Sequence, residues 1–532
     1  MDKKIGLCIL IFIIIIASFL CLFNLSDFPP GLYPDEAMNG NNALEAISTG
    51  DFKVFYPENN GREGLFMNIQ AIFLGLFGNE IWALRLVSAL FGIFIVLGVY
   101  FLTKELFANE KIALLSAFFI ATSFWIINFS RIGFRAIMAP FFLVWGVYFL
   151  LKSFNSEFRI SNFESNSNEK INELNKPKFN QNSKLKIKNS KLISFSIIGG
   201  IFYGLGFYSY IAYRATPLLI LIVFSFWFLA FRDLRKKILK IFIIFTVFTI
   251  LVFAPLGLYF IENPQDFFGR TTQISILSSP TPIKDLGINI LKTAGMFNFS
   301  GDWNWRHNIA GKPLLFWPVG ILFIIGFILG IRQLFKFQIP NSKFQINSKH
   351  QIQIGFGILF TWLAVSALPV VISNEGLPHA LRAILMAPPV FILAGIGGIW
   401  LYEKLLTKMQ KDTKVRKFIL VTSYLLLVTL IFEAYTTYFI LWGQNPNTAG
   451  AFNQEYVRLG KELRELPKEL PKYVVVEASG VDVRGMPMPT QTVMFLTDTF
   501  TPDKQKAKNL YYIFPDELEK VDQNVSYVVY LK

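Results

Sequence analysis

Residues 28–45 read FPPGLYPDEAMNGNNALE and lie between two apolar runs, 5–23 and 81–103. Each run is long enough to cross a bilayer as a helix. Pro29, Pro30 and Pro34 hold the intervening chain extended until a helix starts, because proline fixes φ and suits the first helical position. The carboxylates Asp35 and Glu36 therefore fall at a helix N-terminus just beyond the first apolar run. Capping and dipole complementation explain such a pair at about 0.3–1 kcal/mol. The functional alternative is a general base held at the membrane surface.

Further out, nine more runs of spanning character follow, at 112–128, 136–151, 193–212, 215–231, 238–260, 313–331, 353–372, 383–402 and 418–440. The composition agrees: 53% of the 532 residues are hydrophobic and 16% are charged, against about 25% charged in soluble domains. The expected fold is a polytopic α-helical membrane protein of about eleven transmembrane helices, with juxtamembrane helices in the first outer loop. The first run lacks an A-x-A site and exceeds a signal peptide's apolar core, so it reads as an uncleaved anchor. The stretch LFMNIQAIFLGLFG from Leu65 is too short to span and reads as an interfacial helix.

With that stretch at the interface, the basic loops all fall on the side of the N-terminus. They hold 28 Lys and Arg against 10 Asp and Glu, or +18, and the rest of the chain sums to −3 of the net +15. The positive-inside rule then puts the N-terminus in the cytoplasm and residues 24–80 and 443–532 outside. The cytoplasmic loops 152–192 and 332–352 carry low-complexity Asn/Ser/Lys phrases from Asn182 and Asn341, which suit solvated insertions. The charge thus reports topology in the plasma membrane and makes no case for nucleic acid. The tail mixes a helical pattern from Glu455 with β-rich runs from Tyr473, Thr492, Tyr511 and Val525. That pattern predicts a small C-terminal extracytoplasmic α/β domain, 443–532, after a membrane domain, 1–442.

Several arginines break the charge rule. SRIGFR places Arg131 and Arg135 in a short outer loop, AYR places Arg214 at the next, and NEGLPHALR places His379 and Arg382 at a third. A lone arginine there is a headgroup anchor. Several on separate turns, facing an acidic first loop, suggest a bound phosphate, which guanidinium engages through paired donors. The first loop also carries Arg62 and Glu63 before the interfacial helix, readable as a snorkelling pair. In SGDWNWRHNIAGKPL, Asp302, Trp303, Trp305, Arg306 and His307 cluster before the eighth run. Trp303 and Asp302 could face a sugar, and His307 could ligate a cation, while Trp305 suits an interface belt. Cys8 and Cys21 share one helix, about 20 Å apart, and no Cys/His spacing marks a metal site.

These residues together resemble the membrane-embedded C-type glycosyltransferases, in particular the protein O-mannosyltransferases and the lipid A aminoarabinose transferases. The resemblance rests on Asp35 and Glu36 in a long first outer loop, on Arg62 and Glu63 before a juxtamembrane helix, and on the arginine-bearing turns; REGL stands where relatives often have a proline pair. It implies a glycosyltransferase that takes a sugar from a polyprenyl-phosphate donor and passes it to a hydroxyl of a lipid, glycan or protein at the membrane. Asp35 would be the base, Glu36 its supporting carboxylate, and Arg131, Arg135, Arg214, His379 and Arg382 the donor-binding groups. It also allows a divalent metal, for which Glu63 and His307 are the expected ligands. A single displacement with one base predicts inversion.

A transporter or lipid flippase would place ionisable groups near mid-membrane and show inverted repeats. Here the charges gather at the ends of the runs, Glu433 excepted. A non-catalytic assembly subunit is the third class, in which Asp35 and Glu36 only cap a helix.

Overall fold

The computed structural model describes residues 2–170, 181–273, 276, 279–336, 348–374, 376–408 and 413–532. The Asn/Ser/Lys phrase from Asn341 lies largely outside these residues, as do the side chains between 156 and 189.

The chain opens with α1 (Lys3–Leu22), α2 (Pro34–Thr49), a hairpin of β1 (Phe55–Tyr56) and β2 (Arg62–Glu63), and α3 (Leu65–Phe77). There follow α4 (Ile81–Phe107), α5 (Glu110–Ala121), α6 (Phe124–Arg131), α7 (Met138–Lys170), α8 (Gln181–Gly206), α9 (Thr216–Ala230) and α10 (Arg235–Glu262). Two short helices, α11 (Pro264–Gln273) and α12 (Pro282–Gly295), precede α13 (Trp317–Phe335), α14 (Ser348–Val371), α15 (Ala387–Lys408) and α16 (Thr413–Tyr435). Among the described residues nine helical segments are long and apolar enough to span a membrane, and α5 and α6, bent by 57° at their junction, are long and apolar enough only when taken together. The apolar run expected at 193–212 is the end of α8, where Ser190–Gly206 is a shorter apolar helix. Helix covers most of each of the eleven sequence runs, fewer than eleven of them reach spanning length, and α3 is a 13-residue helix, as the interfacial reading requires.

The bend in 112–128 has a local cause. The Thr122 hydroxyl donates to the Phe118 carbonyl, and Ser123 leaves the helix at ψ 124° before α6 begins. Side chains of this kind compete with the helical ladder. The redirected α6 ends at Arg131, against the end of α1.

Glycines set the closest crossing. A Cβ on Gly326 would stand 1.9 Å from the Leu393 carbonyl oxygen, and one on Gly397 2.0 Å from that of Leu322. The backbones of α13 and α15 therefore touch, as small residues permit between membrane helices.

Beyond α16, which continues as a π-helical segment Thr436–Trp442, come α17 (Pro446–Ala451), α18 (Gln454–Glu465), β3 (Lys472–Val476), the hairpin β4 (Asp482–Val483) and β5 (Met486–Pro487), α19 (Thr490–Thr497), α20 (Pro502–Lys508), β6 (Leu510–Ile513) and β7 (Tyr527–Leu531). β3 lies between β6 and β7, parallel to both. The run from Thr492, expected as a strand, is instead helix α19. All eight of its residues are buried, so no polar face marks its period, and packing against α2 and α18 overrides strand propensity. Met38 of α2 sits in the same apolar core as Val474, Val493 and Leu510. Helix α2 is therefore shared between the membrane bundle and the C-terminal α/β segment.

Gly326→Leu is expected to force α13 from α15 and to cost about 1–3 kcal/mol, seen as a lower unfolding temperature in detergent. Gly357→Ala, at a position with open space around its Cα, should leave that temperature unchanged.

Candidate functional site

The site grows from the head of α2. Tyr33 is extended and Pro34 begins the helix, so the next two side chains leave the first turn in different directions. Glu36 is fully buried. Its Oε2 accepts from Arg85 Nε at 2.9 Å and from the Gly133 amide at 2.7 Å, and its Oε1 from Arg85 Nη2 at 3.2 Å and the Tyr33 amide at 3.3 Å. Arg85, also fully buried, spends its remaining donors on the carbonyls of Leu25, Pro29 and Gly31. Sequence reasoning passed over Arg85. Its signal is the single charge in IWALRLV, near the start of a helix whose other charges, Lys104 and Glu105, lie at its far end.

Asp35, by contrast, remains partly exposed. Asn59 donates to its Oδ1 from the turn between β1 and β2. The Tyr33 hydroxyl also faces it, and burial followed by the charge of Asp35 lifts that phenol above its ordinary range, against the opposing pull of Arg306. The Arg306 guanidinium lies 4.1 Å from the centre of the Tyr33 ring.

The β1–β2 hairpin is pinned to α2 by Arg62, which donates to Asn39 Oδ1 at 2.8 Å and Asn42 Oδ1 at 2.6 Å. Burial, then the nearby Arg135, pulls this guanidinium down to about 10. Glu63, 2% exposed, is bridged by Arg135 Nε at 3.0 Å and Arg214 Nη2 at 3.3 Å. Those arginines keep 13% and 18% of their side-chain surface, so each retains an open edge. Arg214 also donates to the Phe267 carbonyl and lies over the Phe260 and Phe267 rings. Arg62, Arg135 and Arg214 thus gather about Glu63 on the Asp35 side of the bundle.

Arg131 is placed differently. It is fully buried and donates to the carbonyls of Leu20, Phe23, Asn24 and Phe28, with its guanidinium over Tyr438 and Phe439. It closes the orphan carbonyls at the end of α1. Arg382 is buried and donates to the Ser373 hydroxyl.

A second group joins two loops. Asp302 Oδ2 accepts from the Ala380 amide at 2.8 Å and meets His307 Nδ1 at 2.9 Å, with His379 Nδ1 at 3.9 Å. Burial, then the neighbouring His307, pushes the His379 imidazole well below its ordinary value, so it is neutral at pH 7. Burial, the largest single influence, raises the Asp302 carboxyl, but the hydrogen bond and charge of His307, with smaller contributions from its other neighbours, together hold it below the usual range. Ligand atoms of Asp302, His307 and His379 lie within 4.8 Å of one another. Two imidazoles and one carboxylate suit a zinc-like cation. Glu63, engaged by its two arginines, is not part of this group. Asn304 connects it to the Asp35 side, accepting from Arg306 Nε at 3.2 Å while its own amide donates to Asp302. Trp303 is exposed, whereas the Trp305 carbonyl accepts from Trp442.

Residues 65–160 match the family described as dolichyl-phosphate-mannose-protein mannosyltransferase. No curated protein sequence matches the chain. Its architecture is similar to that of the Archaeoglobus fulgidus oligosaccharyltransferase in the apo form, with a TM-score of 0.56 at 13% identity over 93% of this chain and 64% of that one. The chain therefore spans under two thirds of the length of that enzyme. The archaeal oligosaccharyltransferase AglB from Archaeoglobus fulgidus, in complex with an inhibitory peptide and a dolichol-phosphate, gives 0.54 at 13% identity over 97% and 70%. ArnT from Cupriavidus metallidurans bound to undecaprenyl phosphate gives 0.50 at 12% identity over 99% and 90%. The chain shares the fold of these membrane proteins, in keeping with the architecture that the sequence resemblance implies.

Arg85→Met would strand a buried carboxylate. It is expected to cost about 3–5 kcal/mol, read as loss of monodisperse protein on detergent extraction, and Arg85→Met with Glu36→Leu should recover part of that loss.

Proposed function

We propose that the chain is an integral-membrane glycosyltransferase that moves a sugar from a polyprenyl-phosphate donor to an acceptor hydroxyl, with Asp35 as general base. The observation that carries this reading is the division of labour within one dipeptide. Glu36 has every oxygen engaged in the interior, while Asp35 keeps a partly exposed carboxylate that feels the charge of Arg62. A merely capping pair would not need that split.

Asp35 takes the proton from the acceptor hydroxyl as the oxygen attacks the anomeric carbon. The bond from that carbon to the phosphate oxygen breaks, and the electron pair leaves with the polyprenyl phosphate. Charge therefore grows on the phosphate, where fixed donors do most for the rate. Arg135 and Arg214, each with an open edge, are the groups assigned to it. Glu63 holds the two in register, and Arg62 adds a third positive charge. Arg131, with its terminal nitrogens committed to four carbonyls, is assigned to structure. One displacement with one base gives inversion.

The similar archaeal enzyme and ArnT were solved with dolichol-phosphate and undecaprenyl phosphate, which supports a lipid phosphate as leaving group. The charge asymmetry of the loops supports a cytoplasmic N-terminus, with the α2 face of the bundle and residues 443–532 outside. Asp302, His307 and His379 would hold a divalent cation, whose charge beside Arg306 would further favour phosphate departure.

Purified protein given polyprenyl-phosphate-linked radiolabelled mannose, with membrane glycan extract as acceptor, should transfer label; mannose is chosen from the matched family's description, and other hexoses follow if it is inert. Asp35→Asn should lower turnover by about a hundredfold or more while the protein stays folded in the membrane, and near-normal turnover by it removes Asp35 from the mechanism. For the cation site, dialysis against zinc should leave metal on the wild-type protein and not on His307→Ala or His379→Ala. Equal retention by all three rejects that assignment.

A further inference from the structure

The turn that touches Asp35 is an unusual one. Asn59, Asn60 and Gly61 follow one another at φ 51°, 62° and 78°, two of them L-residues in the left-handed region. Such a run persists only where surrounding contacts hold it. The residue just before it, Glu58, is held from far along the chain. Arg484 Nε and Nη2 donate to Glu58 Oε1 at 3.1 and 2.7 Å.

The same guanidinium makes a parallel pair of bonds to Glu45, Nη1 to Oε1 at 2.8 Å and Nη2 to Oε2 at 2.9 Å. Glu45 lies on α2, the helix that Asp35 begins. One side chain from the C-terminal α/β segment therefore ties together the two elements that meet at Asp35, the helix that carries it and the turn whose Asn59 orients it. Arg484 stands at the tip of the β4–β5 hairpin, at φ 55° and followed by Gly485 at φ 86°, and its guanidinium lies 4.5 Å from the centre of the Phe500 ring. Exposed ion pairs contribute little as a rule, but a two-pronged arginine within a network is the exception.

We propose that Arg484 is a positioning residue for Asp35, through which the C-terminal segment sets the geometry of the reaction. The inference rests on Asp35 as the base. It requires that the segment do more than cover the site. Other attachments, among them Asn41 to Gln491, Thr492 to the Leu32 carbonyl and Asn79 to the Phe495 carbonyl, dock α19 on α2 and its neighbours without touching the Asn59 turn. Losing Arg484 should therefore loosen the turn and leave the docking intact.

Hydrogen exchange and kinetics on the full-length protein test this together. In Arg484→Ala, exchange should rise across residues 57–63 and stay unchanged across 490–497. Transfer from polyprenyl-phosphate-linked mannose should lose about tenfold in kcat, with the donor KM held within about twofold, since misplacement of a catalytic group acts on the chemical step. Arg484→Lys, which keeps the charge without the fork, should fall between. Asn59→Ala combined with Arg484→Ala should be no slower than Asn59→Ala alone, because both act on the same carboxylate. Unchanged exchange at 57–63, a rise at 490–497 as well, or additive losses in the double variant would each overturn the proposal. If Asp35→Asn still turns over, it is the base assignment that fails, and the exchange result judges the clamp by itself.

Discussion

A carboxylate and a guanidinium buried against each other, Glu36 and Arg85, hold this molecule's site together. Neither can be left alone in the interior, since an uncompensated buried charge is far more costly than a lost surface pair. Between them they gather the start of the first outer loop at Leu25, Pro29 and Gly31, the head of α2, the start of α4 and the turn at Gly133. Everything placed by α2 is placed relative to that pair. Arg131 does a related task one layer away, closing the end of α1 with its own fan of donors.

Polar chemistry is sorted by this arrangement. Charges with all their partners inside the protein build the frame, and others keep an open edge. Glu36 beside Asp35, and Arg131 beside Arg135, show the sorting within a few residues of sequence. The distinction lies in burial and not in residue type, so neither member of a pair can be assigned from its letter.

That is also where sequence reading stopped. The spanning helices were legible because a bilayer demands long apolar runs, and helix covers most of each of the eleven runs. Asp35, Arg62, Glu63, Arg135 and Arg214 could be named because polar residues at span ends are conspicuous. Arg85 was not, since one arginine in an apolar helix looks like an anchor until its three carbonyl partners, brought in by the preceding loop, are known. Arg484 was invisible for a different reason: its partners Glu45 and Glu58 lie 439 and 426 residues away. The helix α19 was mistaken for a strand because a segment buried on every side shows no period at all. His379 drew notice only as part of an arginine-bearing turn, and its pairing with Asp302 joins two loops that no local pattern connects.

The shared core around α2 has a consequence in time. Met38, placed near the beginning of synthesis, packs with Val474, Val493 and Leu510, and Asn41 bonds Gln491 across 450 residues. The helix that bears Asp35 cannot complete its packing until those distant residues have been made and moved to the same face of the bundle. Contacts of such long range form late and slowly. The membrane helices can be laid down in order while the packing around α2 stays unfinished, so that the surroundings of Asp35 are completed only once the whole chain has been made.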